Sequence, residues 1–435
     1  MLILLLFIVL IIGFTIGVPI FCVLLVGGIV YIYGQPIFSP MVVSISLDIL
    51  PIKFIHSLST YILICAPLFM LAGNLMNVGK LTNKLIELCR AFIGHVRGGL
   101  ALVNILASMF FAGISGSAMA DATALGSVLI PGMIDEGYDE DFTCAITAGS
   151  SLVGPIIPPS IPFVLYGALS GVPVSQLFLG GIVPGVLMGL FMMIYTVIIS
   201  KKRNYPIMEK AYSLSEKWIA VKDGIYILGA PIIIIGGLIS GYFTPVEAGA
   251  IASLYCLLIV IFIYHLLTFS QLIRILYDVG IFASSVLPLV GMAGIISFIF
   301  SSEQLPQVFA NQLLSISDNY YLTLSLILLL LLFIGMFMGV FASMILLMPI
   351  LIPISRTLGI NSIQFGVLVT IALCIGMNTP PVAEMPYVVA AIGKITPERV
   401  FKAIIPFTIV AVIIVMLVAC FPQLSTYIPS MVMAR

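Results

Sequence analysis

The sequence predicts an all-α polytopic membrane protein built from two inverted repeats, with two re-entrant helical hairpins and two broken helices. Three observations carry this reading. The composition suits lipid, the basic residues sort to one face only if two segments turn back, and the two halves repeat one order of elements.

Of 435 residues, 62% are hydrophobic and 8% charged, with a mean hydropathy of +1.28. A soluble domain carries about 25% charged residues, so a chain this poor in charge takes the lipid bilayer as its main solvent. A span needs roughly 20 apolar residues, and about ten such stretches run along the chain. A formal net charge of zero argues against a nucleic-acid partner. The seven cysteines are scattered singly without a CxxC and read as small buried hydrophobes. Met1 to Leu10 has no basic residue and no small-residue cleavage site, so a retained span is expected rather than a signal peptide.

Backbone polar groups in lipid must be satisfied within the segment, so the apolar stretches are helices. Residues 1–33 are interrupted by Gly13, Gly17 and Pro19 and form one kinked helix or two short ones. A span follows at 55–78. Residues 80–97 interleave Lys80, Lys84, Glu87, Arg90, His95 and Arg97 with apolar positions, the pattern of an amphipathic surface helix. Residues 99–134 are apolar around Gly113, Ser115, Gly116 and Ser117, and 140–168 are broken by Pro155, Pro158, Pro159 and Pro162. A plain span at 176–200 precedes the basic loop 201–222, which carries Lys201, Lys202, Arg203, Lys210, Lys217 and Lys222. Spans at 224–240, 246–267 and 280–300 lead to a second surface segment, 303–319, with Glu303 and Asp318. Residues 321–357 have small residues mid-run, 362–391 are broken by Pro380, Pro381 and Pro386, and 398–421 close the chain.

Orientation follows the Lys and Arg residues. With 80–97 and 201–222 in the cytoplasm, Arg274, Lys394, Arg399 and Lys402 also fall inside only if 99–134 and 321–357 each enter and leave on one face. The two hairpins then enter from opposite faces, and the C-terminus is expected in the periplasm. The segment GPIIPPSIPFVLYGALSGVPVSQLFLGGIVPG (154–185) resembles 376–407, with Pro158-Pro159 on Pro380-Pro381, Gly171 on Gly393, Phe178 on Phe401 and Pro184 on Pro406. This divides one transporter domain, 1–435, into repeats 1–222 and 223–435 of opposite topology, with binding near the midplane.

The first hairpin tip offers Ser115 and Ser117 hydroxyls and backbone carbonyls around Gly116, hard oxygen ligands for a small cation. The amides opening its return arm favour an anion. Asp121 is an acid inside an apolar segment, an expensive placement that usually marks function. At the first break Ser150, Ser151, Gly154 and Pro155 present oxygens, and Pro158 and Pro159 interrupt the helical ladder. The second half supplies a tip, 335–353, and a break, 374–386, with Asn378, Thr379 and Glu384 at or beside it. Arg356, at the outer end of the second hairpin, is the sole Lys, Arg or His in the two hairpins and the two breaks. An anion is therefore expected to bind through helix N-termini, hydroxyls and bound cations. No H-x-E, H-E-x-x-H, GxSxG or nucleotide-binding loop followed by Lys occurs, so an enzyme is not expected.

At FAGISGSAMADATALGS, GPIIPPSIPFVLYG, SGYFTPVEAGAIASLY (240–255) and NTPPV, the sequence resembles the large membrane subunit of tripartite ATP-independent periplasmic (TRAP) transporters, the DctM-like family, over essentially its whole length. The resemblance implies a bacterial inner-membrane symporter with an elevator mechanism, coupled to two or more Na+ ions. It implies two partners, a small TRAP membrane subunit and a periplasmic substrate-binding protein, and carboxylate substrates such as sialic acid, C4-dicarboxylates or sugar acids. Carried onto this chain, one sodium lies with Ser115, Gly116, Ser117, Ser150, Ser151 and Gly154. Another lies with Gly335, Gly339, Gly376, Asn378 and Thr379. Substrate sits near Ser115, Ser117, Asp121, Ser160 and Gly339. Two departures stand out. The family often carries an acid after GMFM-like sequence, where this chain has Gly339. It often reads TPPVG at the second break, where this chain has Ala383-Glu384. The rival readings are a stand-alone divalent-anion symporter of similar fold and, further off, an intramembrane enzyme.

Overall fold

The computed structural model describes residues 2–38, 46–78, 81–207, 212–316 and 319–433; Lys80, Lys210 and Asp318 lie outside them. All regular structure among the described residues is helical. The chain opens with α1 (Leu2–Ile16) and α2 (Ile20–Phe38). These are two helices folded back on each other, because Gly13 lies against Val23 and Gly27 against Leu6 and Leu10. The next span is bent by 57°: α3 (Ile49–Leu58) leads through a 3-10 turn, Tyr61–Ile64, into α4 (Cys65–Val78). The amphipathic segment is α5 (Leu81–Ile93). Its buried side includes Leu81, Leu85 and Leu88, and Leu88 packs on Gly224.

The first hairpin is α6 (Gly99–Ser115) and α7 (Ala118–Asp135). The first broken helix is α8 (Glu140–Ser151) and α9 (Ile161–Ser170), and α10 (Val174–Lys202) follows. The second half runs α11 (Leu214–Ser240), α12 (Pro245–Leu258), α13 (Phe269–Ser302) and α14 (Leu305–Ile316). Then come α15 (Tyr320–Gly335) and α16 (Val340–Thr357), α17 (Ser362–Gly376) and α18 (Glu384–Gly393), α19 (Pro397–Cys420) and α20 (Gln423–Met433).

Side-chain contacts fix how the hairpins lie. Asn104, early in α6, reaches Met133, late in α7, so both arms of the first hairpin open at one end. In the second, the end of α15 meets the end of α17, with Gly335 against Gly376, while α16 runs back to where α17 begins. Two long helices show that the open ends lie apart. The helix α19, about 36 Å long at 1.5 Å per residue, starts beside the first hairpin, where Arg399 pairs with Glu140 at 2.9 Å. It ends beside the second, where the Gln364 amide donates to the Val418 carbonyl at 2.9 Å. The helix α10 runs the other way, from Gly180 against Ile363 to Arg203, which pairs with Asp139 at 2.7 Å. The hairpins thus enter the helical body from opposite ends. The return arm of each packs on the second half-helix of the other half's break, α7 on α18 and α16 on α9.

Three helix boundaries and one register differ from expectation. The helix α11 begins ten residues early, because Ser213 and Glu216 close a capping box and the basic stretch at 217–222 is helical. Another capping box, Thr268 with Gln271, starts α13 well before residue 280. An eleven-residue helix, α20, follows the last expected span. The register between halves also shifts: α9 begins at Ile161 and α18 at Glu384, α10 at Val174 and α19 at Pro397, an offset of 223 residues in both pairs. Gly171 therefore matches Lys394 rather than Gly393. Both cap their helices in the left-handed conformation, at φ 76° and 55°.

Candidate functional site

Each tip rests on the break that follows it. Gly116 turns the first tip in the left-handed region at φ 61°, which glycine adopts without steric cost. A Cβ there would sit 2.5 Å from the Pro159 carbonyl oxygen. The Ile161 amide donates to the Gly116 carbonyl at 3.3 Å, stitching tip to break. Gly154 lies against the Ser117 backbone, where a Cβ would be tight at 3.3 Å. Ser117 and Ser160 serve as N-caps. Ser117 Oγ accepts from the Ala120 amide at 3.4 Å, and Ser160 Oγ from the Phe163 amide at 3.2 Å.

Behind the first tip runs a buried polar chain. Asn104 Nδ2 donates to Thr147 Oγ1 at 2.7 Å, Ser108 Oγ to Ser150 Oγ at 3.0 Å, and Ser150 Oγ reaches Asn104 Oδ1 at 3.2 Å. Ser151 donates to the Thr147 carbonyl. Asp121 lies beside Ser108 and is 1% exposed. Neither of its carboxylate oxygens is hydrogen-bonded, and the Ser115 hydroxyl is also unpartnered. Ser108 is near enough to turn toward Asp121, but its hydroxyl is committed to Ser150. Buried polar groups are almost always bonded, and a buried lone carboxylate is among the costliest exceptions.

At the second tip, Gly335 and Gly376 touch backbone to backbone, closer than any side chain would permit. Asn378 Nδ2 donates to the Ala148 carbonyl at 3.0 Å, tying the second break to α8 of the first half. Its Oδ1 is buried without a partner. Thr379 Oγ1 donates to the Ile375 carbonyl at 2.8 Å.

The two tips face one another across a cavity of about 140 Å³. It is lined by residues 116–119, Pro155 and Pro162 from the first half and by residues 339–341, Cys374, Met377 and Glu384 from the second. Four helices, α7, α9, α16 and α18, start at or within two residues of this lining, and no Lys, Arg or His contributes to it. Converging helix N-termini favour an anion. Of the expected substrate residues, Ser117 and Gly339 line the cavity, whereas Ser115, Asp121 and Ser160 are buried behind it. Of the expected cation residues, the first six surround one tip–break junction. Gly335, Gly376 and Thr379 surround the other, while Asn378 turns to α8. Arg356 lies away from the cavity, donating to the Ser170 carbonyl at 2.8 Å. Sequence reasoning passed over Asn104 and Ser108. Their signal was polar residues four apart on one face of an apolar helix.

Helices long and apolar enough to cross a bilayer, seven or eight among the described residues, and paired hairpins closing on a central cavity define a polytopic membrane transporter. The family described as tripartite ATP-independent periplasmic transporter, DctM component, matches residues 3–424, and the chain belongs to it. It is 36% identical over 379 residues to the sialic acid TRAP transporter large permease protein SiaM of Vibrio cholerae, covering 87% of this chain and 88% of that protein. It is 32% identical to the 2,3-diketo-L-gulonate TRAP transporter large permease protein YiaN of Escherichia coli, covering 95% of each. It is 33% identical to the C4-dicarboxylate TRAP transporter large permease protein DctM of Pseudomonas aeruginosa, covering 88% and 89%. The fold resembles the solved YdaH transporter of Alcanivorax borkumensis, with a TM-score of 0.64 at 15% identity over 86% of this chain and 87% of that one. The protein is a TRAP transporter large permease, not an enzyme.

Proposed function

We propose that this permease imports an organic anion by sodium symport, with both hairpins and both broken helices moving as one elevator body. The carrying observation is the set of buried oxygens without partners: Ser115 Oγ and both Asp121 oxygens behind the first tip, and Asn378 Oδ1 beside the second break. Hard oxygens suit a small alkali cation, and a cation there offsets the cost of burying Asp121. It also adds positive charge behind a cavity whose lining has no basic side chain. Cation binding thereby raises affinity for the anion, and the anion raises affinity for the cation by the same factor.

The moving body is supported by packing, since each tip sits on its own break and each return arm on the other half's broken helix. The inverted-repeat division at residue 222 rests on the shared element order and the opposite entry of the hairpins. The named relatives carry sialic acid, diketogulonate or C4-dicarboxylates, all carboxylates, and this chain is assigned the same broad class. Substrate delivery by a periplasmic binding protein and assembly with a small membrane subunit follow from the tripartite family. The test is uptake into proteoliposomes holding the chain, its small subunit and candidate binding proteins. Uptake is expected only with an inward sodium gradient. Equal uptake without sodium overturns the coupling.

A further inference from the structure

We infer that Glu384 is a specificity-determining residue of the central cavity, receiving hydroxyl or ammonium groups of a monocarboxylate and excluding dicarboxylates. The inference rests on the anion-symport reading above and narrows its substrate class. Gly339, on the second tip, and Glu384, on the second break, are neighbours in space. A Cβ built on Gly339 would lie 3.2 Å from one Glu384 carboxylate oxygen and 3.8 Å from the other. Gly339 has φ −58°, an angle open to any residue, so glycine is not needed there for its backbone freedom. What it provides is room for the carboxylate.

The residue before Glu384 supports the same placement. Ala383 has φ 44° and ψ 72°, a left-handed conformation that alanine rarely adopts. Such strain persists where the surrounding structure enforces it, often at functional sites. Glu384 begins α18, yet it accepts no hydrogen bond from that helix's first turn. Among the described residues nothing donates to it and no cation faces it. An unpaired carboxylate on the wall of an anion cavity acts by charge. The substrate carboxylate goes to the start of α7 at Ser117, on the first half's side of the cavity, and Glu384, on the second half's wall beside Gly339, meets another part of the molecule. A hydroxyl or ammonium group there is a donor to it. A second carboxylate about 5 Å away is repelled, disfavouring binding about a hundredfold at the effective dielectric of a protein interior.

The test is equilibrium binding to the permease–small-subunit complex in nanodiscs with sodium present, using D-gluconate and succinate as probes. Wild type is expected to prefer gluconate by about a hundredfold. Glu384→Gln should narrow that ratio at least tenfold, mainly by gaining succinate. Gly339→Ala, which crowds the carboxylate without changing its charge, should shift the same ratio. Wild type preferring succinate, or a ratio unmoved in Glu384→Gln while Ser117→Ala loses both probes, overturns the specificity role and leaves the symport reading standing. Failure of wild type to bind either probe in sodium overturns both.

Discussion

At the scale of single residues, Asp121 sets apart two demands on the chain. A fully buried carboxylate without a partner is costly to fold, so stability alone would remove it. Asp121→Asn is expected to raise the thermal midpoint of the purified complex by a few degrees, while sodium-driven uptake falls by on the order of tenfold or more. Loss of stability with uptake retained would make Asp121 a structural group instead. This residue was legible in the sequence, because an acid inside a long apolar segment stands out without any structure. The meeting of Gly339 with Glu384 was not legible. The two lie on different elements, a tip and a break, and no local pattern links positions that only the fold brings together. Asn104 and Ser108 lie between these cases: their spacing was visible, but small polar residues also serve helix packing.

At the scale of elements, the hairpin tip makes a sharp contrast between two glycines. Gly116 and Gly137 both have positive φ, at 61° and 93°. A Cβ at Gly137 meets nothing within 4 Å, whereas one at Gly116 runs into the Pro159 carbonyl. Gly137→Ala should cost about 1 kcal/mol of stability and leave uptake intact. Gly116→Ala should unseat the tip from the break and abolish uptake, as measured in proteoliposomes beside a thermal melt.

The junction of α7, α8 and α10 carries a pH dependence. The Tyr205 hydroxyl and then the Arg203 guanidinium hold the Asp139 carboxyl below the usual carboxylate range. A depressed value means the contribution is present above the unfolded pKa of about 3.9 and is lost as pH falls below it. Asp139→Asn should therefore lower the thermal midpoint at neutral pH, and its difference from wild type should close below about pH 4. Element boundaries were the least legible feature. Charged N-terminal stretches, with Lys217 and Lys222 in α11 and Arg274 in α13, extend helices past the apolar run that announces them.

At the scale of the whole molecule, counting basic residues was enough to predict two hairpins of opposite entry, because each full crossing would have put basic loops on the wrong face. The structure places Arg203, Arg399 and Arg90 together around the mouth of the first hairpin, paired with Asp139, Glu140 and Glu136. Sequence alignment of the halves found the matching prolines but missed the one-residue shift after the break. That shift arises because one residue, Ser160, separates Pro159 from α9, whereas two, Val382 and Ala383, separate Pro381 from α18. The most direct measurement of the account is side-specific labelling of single cysteines in sealed vesicles of the complex, with the native cysteines replaced. Asp135→Cys, at the first hairpin's mouth, should react with an impermeant maleimide only from the cytoplasmic face, and Thr357→Cys, at the second's, only from the periplasmic face. Reaction of both from one face would contradict hairpins that meet from opposite sides, and with them the cavity at their tips.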